Sequence, residues 1–468
     1  MRRFDKVTGE INNKNNETTK GVETILGDPK QGLRKMSVPL IISMLLISIY
    51  NLADAAWVAG LGADALAGVG YVTPIFLVLV GVGNGLGAGA TSALSKYIGE
   101  KHKSKADNGA VHSIIITVII SLIVSVILLI LLDPILIAMG AGNTIQYARD
   151  YGIIMFTGAI LFILPNVMYG ILRAEGDVKR TMYAMTISGV LNIILDPIFI
   201  YGLNLGVAGA AYATLLSVSI VILVLAYWFY VKKDTYLKPV WSNFKYNREI
   251  SGDILKVGIP ASLEMLLSAI FAGLFSALLT MVANTDAVAV YSTGWRIVSI
   301  GIMPVIGIST ASVSIIGANL GANRYENIRV THRYSVKLSI IAAIITGIFV
   351  YVFSPQIVML FSYSSNSAYL APKMIQFLRL MVFFYIFMAI GAPSTFLFQG
   401  VGKGVTSMFQ TLLRELVFTI IFAYIFAIPF GWGEYGAWWG IIIGELVACI
   451  VTFTWANDYV KRLIRSKE

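Results

Sequence analysis

The sequence predicts an all-α membrane protein: twelve transmembrane helices, arranged as two parallel-repeat six-helix lobes around a central cleft. Three observations predict it. Of 468 residues, 57% are hydrophobic and only 13% are charged, where soluble domains carry roughly 25% charged residues. The apolar residues fall in long charge-poor runs, the signature of membrane helices. The second half of the chain repeats motifs of the first.

Taken in order, the apolar spans cover 36–60, 67–95, 109–133, 150–173, 180–202, 207–231, 254–283, 287–317, 332–354, 373–401, 404–429 and 434–460. Residues 1–35 are polar and Asn/Lys-rich and read as a cytoplasmic N-terminal arm. Residues 36–231 form the N-lobe, 232–253 a cytoplasmic linker, 254–460 the C-lobe and 461–468 a cytoplasmic tail. Basic residues crowd alternate connections: Lys96, Lys101, Lys103 and Lys105; Lys179 and Arg180; Lys232, Lys233, Lys238, Lys245 and Arg248; Arg324 and Arg329. Under the positive-inside rule this places both termini in the cytoplasm of a multi-pass cell-membrane protein. The net charge of +10 therefore orients the chain and does not mark a nucleic-acid site. The lone Cys449 excludes an intramolecular disulfide.

The repeat runs at an offset in the low-to-mid 220s. Asp64-Ala65-Leu66-Ala67 returns as Asp286-Ala287-Val288-Ala289, Gly99 as Gly321, Asp133-Pro134 as Ser354-Pro355, and Gly209-Ala210-Ala211 as Gly436-Ala437-Trp438. An even number of spans separates the equivalents, so both halves point the same way. Parallel repeats place a substrate path at their interface and suit alternating access by rocking.

Span five holds the most demanding stretch, Leu191-Asn192-Ile193-Ile194-Leu195-Asp196-Pro197. A charge at mid-bilayer costs about 2.5–3.5 kcal/mol on insertion scales and is a functional-site hypothesis by default. Asn192 and Asp196 share one helix face. Pro197 has no N–H for the carbonyl of Ile193 and bends the helix. Asp54 in span one is the second deep carboxylate. Their repeat equivalents are Ser276 and a position near Phe422, so the acidic pair belongs to the N-lobe alone. Two carboxylates in a low-dielectric lobe titrate as a coupled pair and can carry protons. With Asn192 and a hydroxyl such as that of Thr214, their oxygens also suit Na⁺, a hard cation. The bland alternative is that Asp54 braces a helix near the outer surface.

Other polar residues read less sharply. Glu264, early in span seven, is either a carboxylate snorkelling at the cytoplasmic interface or a second cation or substrate group. Glu415 and Glu445 are expected to pair with Arg296 or Arg414. Tyr151 and Asn166 in span four are cavity candidates. The glycines from Gly81 to Gly89 lack the strand context of a phosphate loop and read as close helix packing. No metal-ligand or catalytic spacing and no nucleotide-binding lysine motif occurs, so neither an enzyme nor a cofactor is expected.

Several motifs together resemble the multidrug and toxic compound extrusion (MATE) family, over essentially residues 33–460. They are Pro39, Asn51-Leu52-Ala53-Asp54, Leu172-Arg173-Ala174-Glu175-Gly176-Asp177, Asn192 with Asp196-Pro197, and Gly206-Val207-Ala208-Gly209-Ala210-Ala211. The resemblance implies a secondary active efflux transporter that exports drugs or organic cations against inward Na⁺ or H⁺, as a single chain in the lipid bilayer. It also implies that Asp54, Asn192, Asp196 and Thr214 form an N-lobe cation site with Tyr151 and Asn166 nearby, and that span one bends at Pro39. Glu264 stands near an acidic C-lobe position of some branches, whose span-ten aspartate has no match between Phe383 and Gly391. The alternative is a flippase of lipid or lipid-linked precursors, which would want Arg or Lys in the cleft to meet phosphate.

Overall fold

The computed structural model describes residues 18–361 and 368–466, and among them every regular element is helical. Eleven helices are long and apolar enough to cross a membrane, and a pair bent by 48°, Gly142–Thr157 and Ala159–Ala174, makes the twelfth crossing. Spans one to six are Pro29–Ala59, Ala63–Gly99, Lys103–Ala138, the bent pair, Val178–Gly202 and Gly206–Lys232. Span seven is Arg248–Val282. Span eight is Thr285–Gly301 continued by Met303–Gly321. Spans nine to twelve are Tyr325–Phe361, Ala371–Gly400, Gly404–Ala427 and Gly433–Arg465.

The helices start earlier than the apolar runs. Asp28 caps span one by accepting from the amides of Lys30 and Gln31, and Pro29 occupies the first helical position, where its missing N–H costs nothing. Asn247 caps span seven through the amides of Glu249 and Ile250. Polar first turns thus extend each helix beyond its membrane segment. The N-terminal arm and the linker shrink accordingly, and the last helix runs to Arg465 through most of the expected tail. Residues 1–17 of the arm and 467–468 of the tail lie outside the described residues.

The arm's described part is also ordered. Residues Lys20–Leu26 form a short helix with Val22 and Ile25 buried. It touches both lobes. Gly21 is interlocked backbone to backbone with Gly176 of the N-lobe. In the C-lobe, Asn319 donates to the carbonyl of Ile25 (3.3 Å) and Arg324 to that of Leu26 (2.7 Å).

Pseudo-two-fold symmetry is visible in the glycine contacts. A side chain at Gly99 would strike the Ala318 carbonyl, and one at Gly321 would strike the Lys96 carbonyl; the repeat exchanges these two contacts. Gly209 lies against the backbone of Phe199 just as Gly436 lies against that of Phe426. Across the lobe interface, Gly85 and Gly89 of span two meet Ser262, Ile254 and Gly258 of span seven, and Gly307 of span eight meets Ile41 of span one. Small residues let the backbones approach where lipid supplies no hydrophobic drive between helices.

Polar contacts close the same end. Asp253 accepts from Tyr97 (2.8 Å) and Lys96 (3.3 Å), Lys105 pairs with Glu249 (2.8 Å), and Ser92 donates to the carbonyl of Gln399 (2.6 Å). All these contacts lie on the half of the bundle that carries the termini. Beyond Gly81 and Met265, among the described residues, no hydrogen bond or ion pair joins the lobes. Hydrogen bonds and ion pairs thus join the lobes at one end, and among the described residues the lobes are parted from such contacts at the other.

Candidate functional site

Span five begins at Asp177, whose carboxylate caps it by accepting from the Arg180 amide (3.2 Å). The face carrying Asn192 and Asp196 turns inward, leaving them 2% and 0% exposed. Pro197 ends the regular helix, and the next turn, Ile198–Gly202, is widened to π geometry, a common device at functional sites. That turn aims Tyr201 at span one. Its hydroxyl donates to the Trp57 carbonyl (2.6 Å), and the two rings meet edge to face at 6.4 Å. The contact fixes the end of span one less than a turn from Asp54.

Asn192, Asp196 and Thr214 form one hydrogen-bonded network, with Asp54 beside it. The Asn192 amide donates to Asp196 Oδ1 (3.3 Å) and to Thr214 Oγ1 (3.1 Å). The Thr214 hydroxyl donates to the Ala210 carbonyl (2.9 Å) and keeps its lone pairs toward the site. Asp54 lies within electrostatic reach of Asp196, and two carboxyls this close in a low-dielectric site disfavour a second ionisation. Three oxygens remain buried without a partner: Asp54 Oδ1, Asn192 Oδ1 and Asp196 Oδ2. Leaving such atoms unsatisfied costs about 1–3 kcal/mol each. Carboxylate, amide and hydroxyl oxygens around the same point are a donor set suited to a proton or a small hard cation.

Tyr151 lies within electrostatic reach of both carboxylates, as does Tyr50 of Asp54. Tyr50 escaped the sequence reading although it stands one turn before Asp54 on the same face. The Asn166 amide donates to the Phe162 carbonyl of its own helix (2.8 Å), and its side chain packs on Gly83. Pro39 lies buried in span one, with the Ser43 hydroxyl on its carbonyl (2.7 Å), two residues before the Ile41 contact with Gly307. Span one therefore carries both an arm of the site and a piece of the lobe interface.

Glu264 does not snorkel. Because the helix starts at Arg248, Glu264 lies about 24 Å along it. Its carboxylate accepts from Ser407 (2.7 Å) and Gln399 (3.3 and 3.4 Å). One turn on, Ser268 donates to Glu415 (2.5 Å). Arg414, not Arg296, pairs with Glu415 (3.3 Å) and Glu445 (3.4 Å); Arg296 is exposed. The C-lobe network ties span seven to spans ten to twelve and, among the described residues, shares no hydrogen bond with the N-lobe site.

Glu175, in the turn between spans four and five, is 1% exposed. It accepts from the Leu237 amide of the inter-lobe linker (2.6 Å). Burial pushes its carboxyl up to about 8, against the opposing pull of that hydrogen bond. An acid whose proton is held more tightly in the folded state contributes stability that is complete below its unfolded pKa of about 4.5 and is lost as pH rises through about 8. Hydrogen exchange of segment 234–240 is expected to step up across that window, beyond the ordinary base dependence. Glu175→Gln is expected to abolish the step.

The MatE family model matches residues 39–198 and 260–425, one block in each lobe. The multidrug export protein MepA of Staphylococcus haemolyticus is 29% identical over 423 residues, 90% of this chain and 92% of that one. A protein named FAD transporter from Shewanella oneidensis is 28% identical over 314 residues, 66% of this chain and 69% of that one. A solved outward-facing conformation of a multidrug resistance MATE family transporter superposes with a TM-score of 0.93 at 39% identity, covering 96% of this chain and 99% of that one.

Proposed function

Because the chain belongs to the MatE family of multidrug and toxic compound extrusion transporters, we propose that it is an antiporter. It exports amphipathic organic cations or drugs and draws on the inward gradient of H⁺ or Na⁺. The observation that carries this reading is the set of three partnerless buried oxygens on Asp54, Asn192 and Asp196, completed by the hydroxyl of Thr214. In this reading the end carrying the termini is cytoplasmic, so the structure is open outward, and one chain suffices for transport.

Asp54 and Asp196 hold the coupling ion, a proton or Na⁺ taken as cargo. Asn192 orients Asp196, and Tyr201 holds span one in register through Trp57. Ion entry changes the charge between spans one and five and therefore the grip of Asp54 on Asp196. Span one, hinged at Pro39, transmits the change to Gly307 through Ile41. Coupling requires only that ion and substrate favour opposite states of the lobes.

A flippase needs free cations to meet phosphate. Arg414 is held between two carboxylates and Arg296 is exposed, which weighs against that reading. The relative named FAD transporter keeps an anionic nucleotide as the alternative cargo. Efflux of a cationic dye and of FAD from proteoliposomes, under an imposed H⁺ or Na⁺ gradient, tests the choice. Gradient-driven efflux of the dye supports the antiporter reading; gradient-driven movement of FAD alone replaces its substrate class.

A further inference from the structure

The repeat exposes a difference on the lipid-facing side of the C-lobe. In the N-lobe, near the parted end, Arg149 is neutralised by Asp133 (2.7 Å). At the repeat offset Asp133 returns as Ser354, while Arg149 falls near Lys373, which pairs with Glu434 (2.6 Å); the guanidinium that reaches Ser354 is that of Arg379, whose Nε donates to Ser354 Oγ (3.2 Å). Among the described residues Arg379 has no ion pair. It is exposed, and its plane lies over the Tyr351 ring at 5.0 Å. Arg149 and Lys373 are thus both held in ion pairs, whereas Arg379 presents an uncompensated positive charge.

That charge stands above a groove. Spans nine and ten part along Ile344, Ile348 and Val352 on one side and Val382, Phe383 and Ile386 on the other, leaving a space of about 350 Å³. Its floor is at Gly347, which lets Val382 approach. Apart from Arg379 and the Tyr351 hydroxyl, every lining side chain is apolar, and Ile344, Ile348, Val352 and Phe383 are exposed to the surroundings of the bundle. Arg379 comes eight residues after the start of span ten at Ala371, about 12 Å along the helix. That depth suits the boundary between headgroups and hydrocarbon, where arginine is at home.

We infer that this groove binds one phospholipid of the leaflet at the parted end, with an acyl chain along Ile344 to Val352 and the phosphate on the Nη atoms of Arg379. The chemistry is complementary at both ends. A guanidinium forks onto two phosphate oxygens, and a lined apolar slot of this volume falls within the roughly 300–1,000 Å³ that small-molecule sites occupy. The Tyr351 ring and the Ser354 hydroxyl fix the guanidinium in advance, which lowers the ordering cost of binding. At the equivalent place in the N-lobe, Ser125 stands near the position of Gly347 with its hydroxyl turned to the Phe156 carbonyl (2.7 Å).

Native mass spectrometry of the full chain, delipidated in detergent and titrated with phosphatidylglycerol, tests the site. The wild type is expected to retain one lipid per chain. Arg379→Gln and the groove-filling Ile348→Trp are each expected to weaken retention about tenfold. Arg379→Lys restores a charge and should recover part of the loss, which separates binding from misfolding; Arg149→Gln should change nothing. Galactosyl diglyceride, an acyl lipid without phosphate, should be held no better by the wild type than by Arg379→Gln. Retention of phosphatidylglycerol by Arg379→Gln at the wild-type level, or equal retention of the phosphate-free lipid, overturns the proposal.

Discussion

Asp196→Asn is expected to reduce ion-driven efflux in proteoliposomes by roughly 10–100-fold, the scale of a coupling free energy of about 1–3 kcal/mol. The substitution keeps the size of the side chain and its hydrogen bond with Asn192, since an amide oxygen can accept as Asp196 Oδ1 does. It removes the second carboxylate from the pair and with it a proton- or cation-binding oxygen. The bundle should still fold, because burying a neutral amide at 0% exposure is no harder than burying a charge. Substrate binding measured without a gradient should survive. Efflux that remains fully gradient-dependent in this variant would remove Asp196 from the coupling path.

Gly99→Val is expected to have the other large effect, on conformation. Any β-carbon at Gly99 runs into the backbone of Ala318 in the opposite lobe, and Gly321 meets Lys96 in the mirrored contact. A backbone atom cannot swing aside as a side-chain end can, so the lobes must separate at the end carrying the termini. Overpacking a tight contact costs about 1–3 kcal/mol, and each 1.4 kcal/mol shifts the balance of closed and open forms about tenfold. Cysteine pairs or spin labels placed across the loops at 100–102 and 322–324 should report a longer inter-lobe distance than in the wild type. An unchanged distance distribution would show that this glycine pair does not hold the closed end.

These two residues also show what a single sequence can disclose. Asp196 was legible because a carboxylate in an apolar run is costly wherever the helix packs, and its four-residue spacing from Asn192 follows from helix geometry alone. The repeat was legible because the two halves kept their glycines and prolines. The partners were not. Tyr201 reaches Trp57 only because the turn after Pro197 takes π geometry, which no spacing rule announces. Glu264 was left open between the interface and a cation site because the apolar run begins late, while the capped, polar first turns of span seven carry it deep into the bundle. The contacts of Asn166 with the Phe162 carbonyl and with Gly83 are likewise set by packing and not by its place along span four. Helix ends set by caps, and helix rotation set by packing, are tertiary outcomes.

The central claim is that Asp54, Asn192, Asp196 and Thr214 form one site for the coupling ion. Isothermal titration of the purified protein with Na⁺, in buffers of different ionisation enthalpy and at several pH values, tests it most directly. The account predicts that proton occupancy and Na⁺ occupancy exclude each other in the wild type, with protons released as Na⁺ binds. It further predicts that Asp196→Asn loses both the Na⁺ heat and the proton release. Na⁺ binding by Asp196→Asn with wild-type affinity and wild-type proton release would contradict it.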